Sequence, residues 1–133
     1  MVDALHEAAR ALRPRAILID ARPDSRTLAK IEHAGRAVGT ILTQAHECRD
    51  DRAADQAVAR AKRERLFWRV RVGRFWHRIP FTDRPALETY LRDHLRFQHR
   101  ARWGATARRR RAEWRDDPFN LVRAVRFEVL ERL

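Results

Sequence analysis

Apolar positions in the first dozen residues recur at helical spacing. Leu5, Ala8, Ala9 and Leu12 fall at i, i+3, i+4 and i+7, which predicts an amphipathic helix. Pro14 ends it, because its ring blocks continuation and holds Arg13 extended. The run "AILID" (16–20) is apolar almost throughout, the pattern of a strand covered on both faces, and "ARPDSR" leaves it with turn chemistry. Between 27 and 43, Gly35 and Gly39 with Val38, Thr40, Ile41 and Thr43 predict two short strands around "HAGR". A helix over Leu28, Ile31 and Glu32 is the alternative.

Helical spacing returns at Ala54, Ala57, Val58 and Ala61, with Asp50 or Asp51 as the expected cap. From Trp68 the period becomes two. Trp68, Val70 and Val72 alternate with Arg69 and Arg71; after Gly73, Phe75, His77, Ile79 and Phe81 alternate with Arg74, Trp76 and Arg78. That is a bent strand or a pair of strands. Asp83 and Pro85 open a further helix, with Leu87, Tyr90, Leu91 and Leu95 on its inner face. A basic connection, 96–118, is expected to be helical near 105–115. Val125, Phe127 and Val129 alternate with Arg126 and Glu128 and predict a last strand, although Val122, Val125 and Val129 also suit a helix. The order α, β, hairpin, α, β, α, β describes one α/β domain over residues 1–133: a small mixed sheet flanked by helices.

Composition narrows the function classes. Apolar content of 44% supplies a core, and six Phe and four Trp argue against wholesale disorder. No apolar run approaches the roughly 20 residues that span a bilayer. "MVDALHEAAR" lacks the apolar core of an export signal, so the expected compartment is the cytoplasm. Cys48 is alone, which excludes an internal disulfide. The net charge of +12 is unevenly placed: residues 1–53 hold nine basic against eight acidic side chains, and residues 54–133 hold twenty-one against ten. A basic half suits a polyanion surface. Yet only Lys30 and Lys62 are lysines, and Arg with Ala richness is also what a GC-rich coding sequence produces.

Most site signatures are absent. The four glycines form neither a dinucleotide fingerprint nor a phosphate-binding loop. The six histidines include no pair at i, i+4, and one cysteine makes no zinc knuckle, so no metal site is expected. Asp50–Asp51 and Asp116–Asp117 stand where caps or turns place carboxylates. The richest constellation is "RVRVGRFWHRIPF" (69–81). On a strand, Arg74, Trp76 and Arg78 share one face, where an aromatic between guanidinium groups stacks on a planar ligand. The plainer reading is an Arg–Trp–Arg ladder with its stems packed on a sheet, and His77 as a hydrogen-bonded core histidine.

"ALHEAARALRPRAILIDARP" resembles the segment of class I S-adenosylmethionine-dependent methyltransferases in which a helix ending L-[RK]-P-G-G leads into the fifth strand. "DDRAADQAVARAKRERLF", the aromatic strand and "RPALETYLRDHL" extend the similarity to the C-terminal part of some bacterial members. The resemblance implies the C-terminal half of a Rossmann-like fold with a hairpin insert. Its seventh strand lies antiparallel between the fifth and sixth, drawn from residues 16–20, 67–81 and 120–131. Two departures matter. Arg15 and Ala16 stand where the family has Gly-Gly, which turns through positive φ. The glycine-rich loop and the strand-end acidic residue that hold the cofactor in the family have no counterpart here. The resemblance therefore implies a methyltransferase-like fragment that binds no cofactor by itself, with Arg74, Trp76, His77 and Arg78 as substrate-side candidates. It also implies an apolar edge at "AILID", to be covered by a homodimer, by a separate N-terminal half or by the 27–43 hairpin. The reading from another class is a small basic nucleic-acid-binding protein, using Arg108 to Arg111 on phosphates and Trp76 for stacking.

Overall fold

The computed structural model describes residues 2–93 and 101–133. The elements run α1 (Val2–Ala11), β1 (Ile17–Pro23), β2 (Ala29–His33), β3 (Arg36–Ile41), α2 (Ala45–Arg63), β4 (Phe67–Phe81), α3 (Arg84–Asp93), β5 (Ala101–Trp103), α4 (Ala105–Arg109) and β6 (Phe119–Arg132). This is a mixed α/β chain whose six strands form a mostly antiparallel open sheet in the order β1-β6-β2-β3-β5, with β4 also paired to β6. The 27–43 segment is a hairpin and the C-terminal segment a strand, so the helical alternatives at both places fall away. Residues 67–81 form one continuous strand. Leu95 lies outside the described residues.

Two compact units divide the chain, and both β4 and β6 pass from one to the other. The first unit comprises Met1–Ser25, Gln44–Phe75 and Val125–Leu133. Its core packs Ala9 of α1 with Val58 and Ala61 of α2, Phe67 of β4 and Leu130 of β6; Leu5, Ala8 and Leu12 flank it, as the helical spacing requires. β1 pairs with β6 from Ile17↔Glu131 to Pro23↔Val125. Opposed residues in an antiparallel pair share a face, so Leu18 and Leu130 turn together into this core. The next face is different. Ile17 is 49% and Ile19 63% exposed, which corrects the expectation of a strand covered on both faces. An apolar run does not report which of its faces finds a partner.

The capping residue of α2 is Gln44, six residues before Asp50, the first of the two expected caps. Gln44 precedes its first turn and donates its backbone N–H to the Glu47 carboxylate at 2.7 Å, a glutamate reaching back to the capping position. Asp50 and Asp51 therefore lie inside the helix. The helix ends where Leu66 N–H bonds Ala61 O and Arg65 N–H bonds Lys62 O, with Arg65 at φ 57°. This is a Schellman closure with arginine where glycine is usual. On β4, a side chain at Gly73 would meet the Phe127 ring at 2.5–2.7 Å, so the glycine lets the ring lie over the strand.

The second unit comprises Arg26–Thr43 and Trp76–Ala124. β2 and β3 pair from Ala29↔Ile41 to His33↔Arg36, with a register shift at Ile31/Glu32. Ala34 (φ 48°) and Gly35 (φ 75°) make the two-residue turn, and positive φ at both matches the right-handed strand twist. β2 also pairs with β6 along Phe119–Val122, and β3 with β5. Asp83 precedes α3, and its carboxylate accepts the Ala86 N–H at 2.8 Å; the helix buries Leu87 and Leu91 against Ile31, Ile41 and Leu121. The helix expected near 105–115 is confined to α4; residues 110–116 turn instead.

Candidate functional site

The sequence candidates lie on β4. Arg74 approaches Asp24 (3.9 Å) within the first unit. In the second unit, Lys30 Nζ sits 4.7 Å from the Trp76 ring centroid and Arg78 reaches Glu32 at 3.2 Å. Each of the three alternating residues is thus engaged with a charged side chain. His77 is exposed, which corrects its reading as a core histidine. Alternation placed it with Phe75 and Ile79, and of these three only Ile79 packs against a core. Arg74, Trp76 and Arg78 alternate on one face of β4 and His77 lies on the other; all four are exposed, and none lines the cleft described below.

A concave site lies elsewhere in the second unit, at the β2–β3 turn, β5 and α4. Gly39 and Gly104 build it. A Cβ on Gly39 would stand 3.1 Å from Arg102 O, and one on Gly104 3.1 Å from Val38 O. Their bareness lets the Gly104 N–H bond Val38 O at 2.8 Å and lets β5 close on β3. The cleft beside this junction encloses about 940 Å³, the size of a small-molecule pocket. Trp103 and Trp114 supply aromatic surface, and Arg36, Arg102 and Arg110 bring cationic groups. No Asp or Glu occurs among the described residues lining it.

Its walls are braced from behind. His33 stacks on Trp114 with ring centroids 4.2 Å apart and bonds Asp117 through Nε2 at 2.8 Å. Trp103 meets the Arg84 guanidinium 4.1 Å from its centroid and the edge of Phe119. Arg110 is paired with Glu113 and lies 5.5 Å from the Trp114 centroid. Histidine with aspartate can orient a base, but among the described residues the side-chain hydroxyls lining the cleft are those of Thr40 and Thr106. The arrangement suits binding.

Sequence reasoning had not singled out Arg36, Arg102, Trp103 or Trp114. The available signal was glycine at 35, 39 and 104 beside tryptophan and arginine, and only the strand register turns that into a cleft. The run Arg108 to Arg111 is partly committed, Arg110 to Glu113 and Arg111 to Glu88 (3.6 Å). Among the described residues no group of three His, Cys, Asp or Glu could hold a metal ion, and no helix is long and apolar enough to cross a membrane. Compared with protein-family models, curated proteins and solved structures, the chain matches none.

Proposed function

We propose that this chain is the C-terminal, substrate-side part of a methyltransferase-like fold of the S-adenosylmethionine-dependent class, unable to transfer a methyl group alone. The observation that carries the reading is the pairing of β6 with both β1 and β4. The resemblance sets the seventh strand between the fifth and sixth, and β1, β6 and β4 come from the expected segments. A second support is Arg15, whose φ of 66° falls where the family has glycine. In this reading the glycine-rich loop and acidic residue that hold the cofactor belong to another segment, so S-adenosylmethionine enters only with a completed sheet. A homodimer or a separate N-terminal half would complete it. The chain would then contribute substrate contacts, with Arg74, Trp76, His77 and Arg78 as the candidates.

Calorimetric titration of the chain with S-adenosylmethionine tests the reading, and the expected result is no binding. Micromolar binding would overturn it. The DNA upstream of Met1 provides the complementary test: a reading frame encoding a glycine-rich D-x-G-x-G-x-G-like loop is expected, in frame or as a separate gene. The alternative, nucleic-acid binding through Arg108 to Arg111 and Trp76, has less support, because Arg110, Arg111 and Trp76 already face Glu113, Glu88 and Lys30. Binding that falls steeply with salt and weakens in Trp76→Ala would favour it.

A further inference from the structure

The cleft between the β2–β3 turn, β5 and α4 is a feature that the proposed function does not use. We propose that it binds a small organic anion: a ring-bearing molecule with a carboxylate or phosphate group. Three observations point to that occupant. Its volume of about 940 Å³ exceeds what a bare inorganic ion needs and fits a molecule of drug or nucleotide size. Arg36, Arg102 and Arg110 line it while no described lining residue is acidic; Arg110 is paired with Glu113, so the positive field of the wall rests on Arg36 and Arg102. Low-dielectric walls concentrate such a field, and guanidinium forks match the geometry of carboxylate and phosphate oxygens.

The rest of the wall selects the ligand's body. Trp103 and Trp114 line the cleft together with small residues; Trp114 is only 8% exposed, so Trp103 offers the larger aromatic surface for a flat ring. Both indoles are held in place before any ligand arrives, Trp114 by His33 and Trp103 by Arg84 and Phe119. Preorganised aromatic surface lowers the ordering cost of binding. Arg36 follows the tight turn and Arg102 stands opposite Thr40 on β5, so the two cations come from separate strands. The described lining residues all belong to the second unit of this chain, and the test of the site is separate from that of the methyltransferase-like reading.

The experiment is a titration of the full chain at low salt, followed by tryptophan fluorescence and calorimetry. Three probes are compared: 1-naphthyl phosphate, neutral 1-naphthol and inorganic phosphate. The expected result is saturable binding of naphthyl phosphate below about millimolar concentration, at least about tenfold tighter than either other probe. The double variant Arg36→Ala, Arg102→Ala should weaken it by about tenfold or more, whereas Arg63→Ala, at the end of α2, leaves it unchanged. Ala37→Trp, which fills the cleft from the hairpin, should abolish it, and unchanged circular dichroism identifies variants that have kept their fold. Naphthol or phosphate binding as tightly as naphthyl phosphate overturns the proposal, as does equal weakening in Arg63→Ala. Absence of naphthyl phosphate binding up to millimolar concentration overturns it too.

Discussion

Three side chains other than glycine hold positive φ: Arg15 at 66°, Ala34 at 48° and Arg65 at 57°. Each closes an element. Arg15 donates its N–H to Arg132 O at the entry to β1, Ala34 turns the hairpin and Arg65 ends α2. A Cβ in the left-handed region is sterically disfavoured, so these positions store strain. Arg65→Gly keeps both closing hydrogen bonds, which are made by the backbone, and should raise stability by about 0.5–1 kcal/mol. Urea denaturation measures it; an unchanged or lowered midpoint would mean that Arg65 is not strained. The hairpin turn was legible, because "HAGR" puts glycine between β-branched residues. The other two were not, since arginine carries no sign of a left-handed backbone. Departure from Gly-Gly at Arg15 and Ala16 showed only that the turn would have to differ or be strained.

At the scale of elements, α2 is tied to β1 and β6 by charge in the first unit. Asp55 bonds Arg22 (3.1 Å) and Arg126 (2.6 Å), Arg22 also holds Asp20, and Asp51 accepts from Ser25. Burial pushes the Asp55 carboxyl up, but the Arg126 hydrogen bond and charge, with those of Arg22, outweigh it and hold the pKa below the ordinary value. A carboxylate lowered in this way stabilises the fold above its unfolded pKa, and that contribution is lost as pH falls through the folded value. Arg126 is mostly buried, with Nε and Nη2 lacking hydrogen-bond partners; removing the Asp55 carboxylate would leave it only the longer contact to Asp51 (3.9 Å). Asp55 is 43% exposed, so solvent screens the pair: Asp55→Asn should cost about 0.5–1 kcal/mol at pH 7, and the gap to the parent should close as acid protonates Asp55. Denaturant midpoints at pH 7 and pH 3 check both parts; a gap that persists in acid would show that the loss is not electrostatic. Periodicity identified α2 through Ala54, Ala57, Val58 and Ala61. It misplaced the start, because Asp50 and Asp51 resemble caps and the glutamate that reaches back to Gln44 lies three residues earlier in the chain than Asp50.

For the whole chain, the informative feature is the outer edge of β1. Arg132 N–H bonds Ala16 O, so in this alternating ladder the N–H and C=O groups of Ile17, Ile19 and Ala21 point away from β6. Pro23 stands at the same outward phase, where its missing N–H loses no bond to β6 and blunts the end of the edge. The β2–β3 hairpin pairs with β6 and β5, leaving β1 at the end of the described sheet. An open edge beside exposed Ile17 and Ile19 favours strand addition, while the +12 charge of each chain opposes self-association. A dimer should therefore strengthen with added salt, and Ile19→Lys should return it to monomer without loss of secondary structure. Sedimentation equilibrium reads this, and a wild-type chain monomeric at all salt concentrations, alone and with any candidate N-terminal half, would rule out completion through β1. Local pattern by itself located α1, α2 and α3, favoured the hairpin, marked the strand character of 68–81 and fixed the uneven charge, because periodicity and turn chemistry act over a few residues. Tertiary structure alone decided that β1 is bare on one face, that His77 is exposed, and that Arg36, Arg102, Trp103 and Trp114 line one cleft. Each of these depends on which distant strand pairs at which register, and spacing along one strand does not encode that.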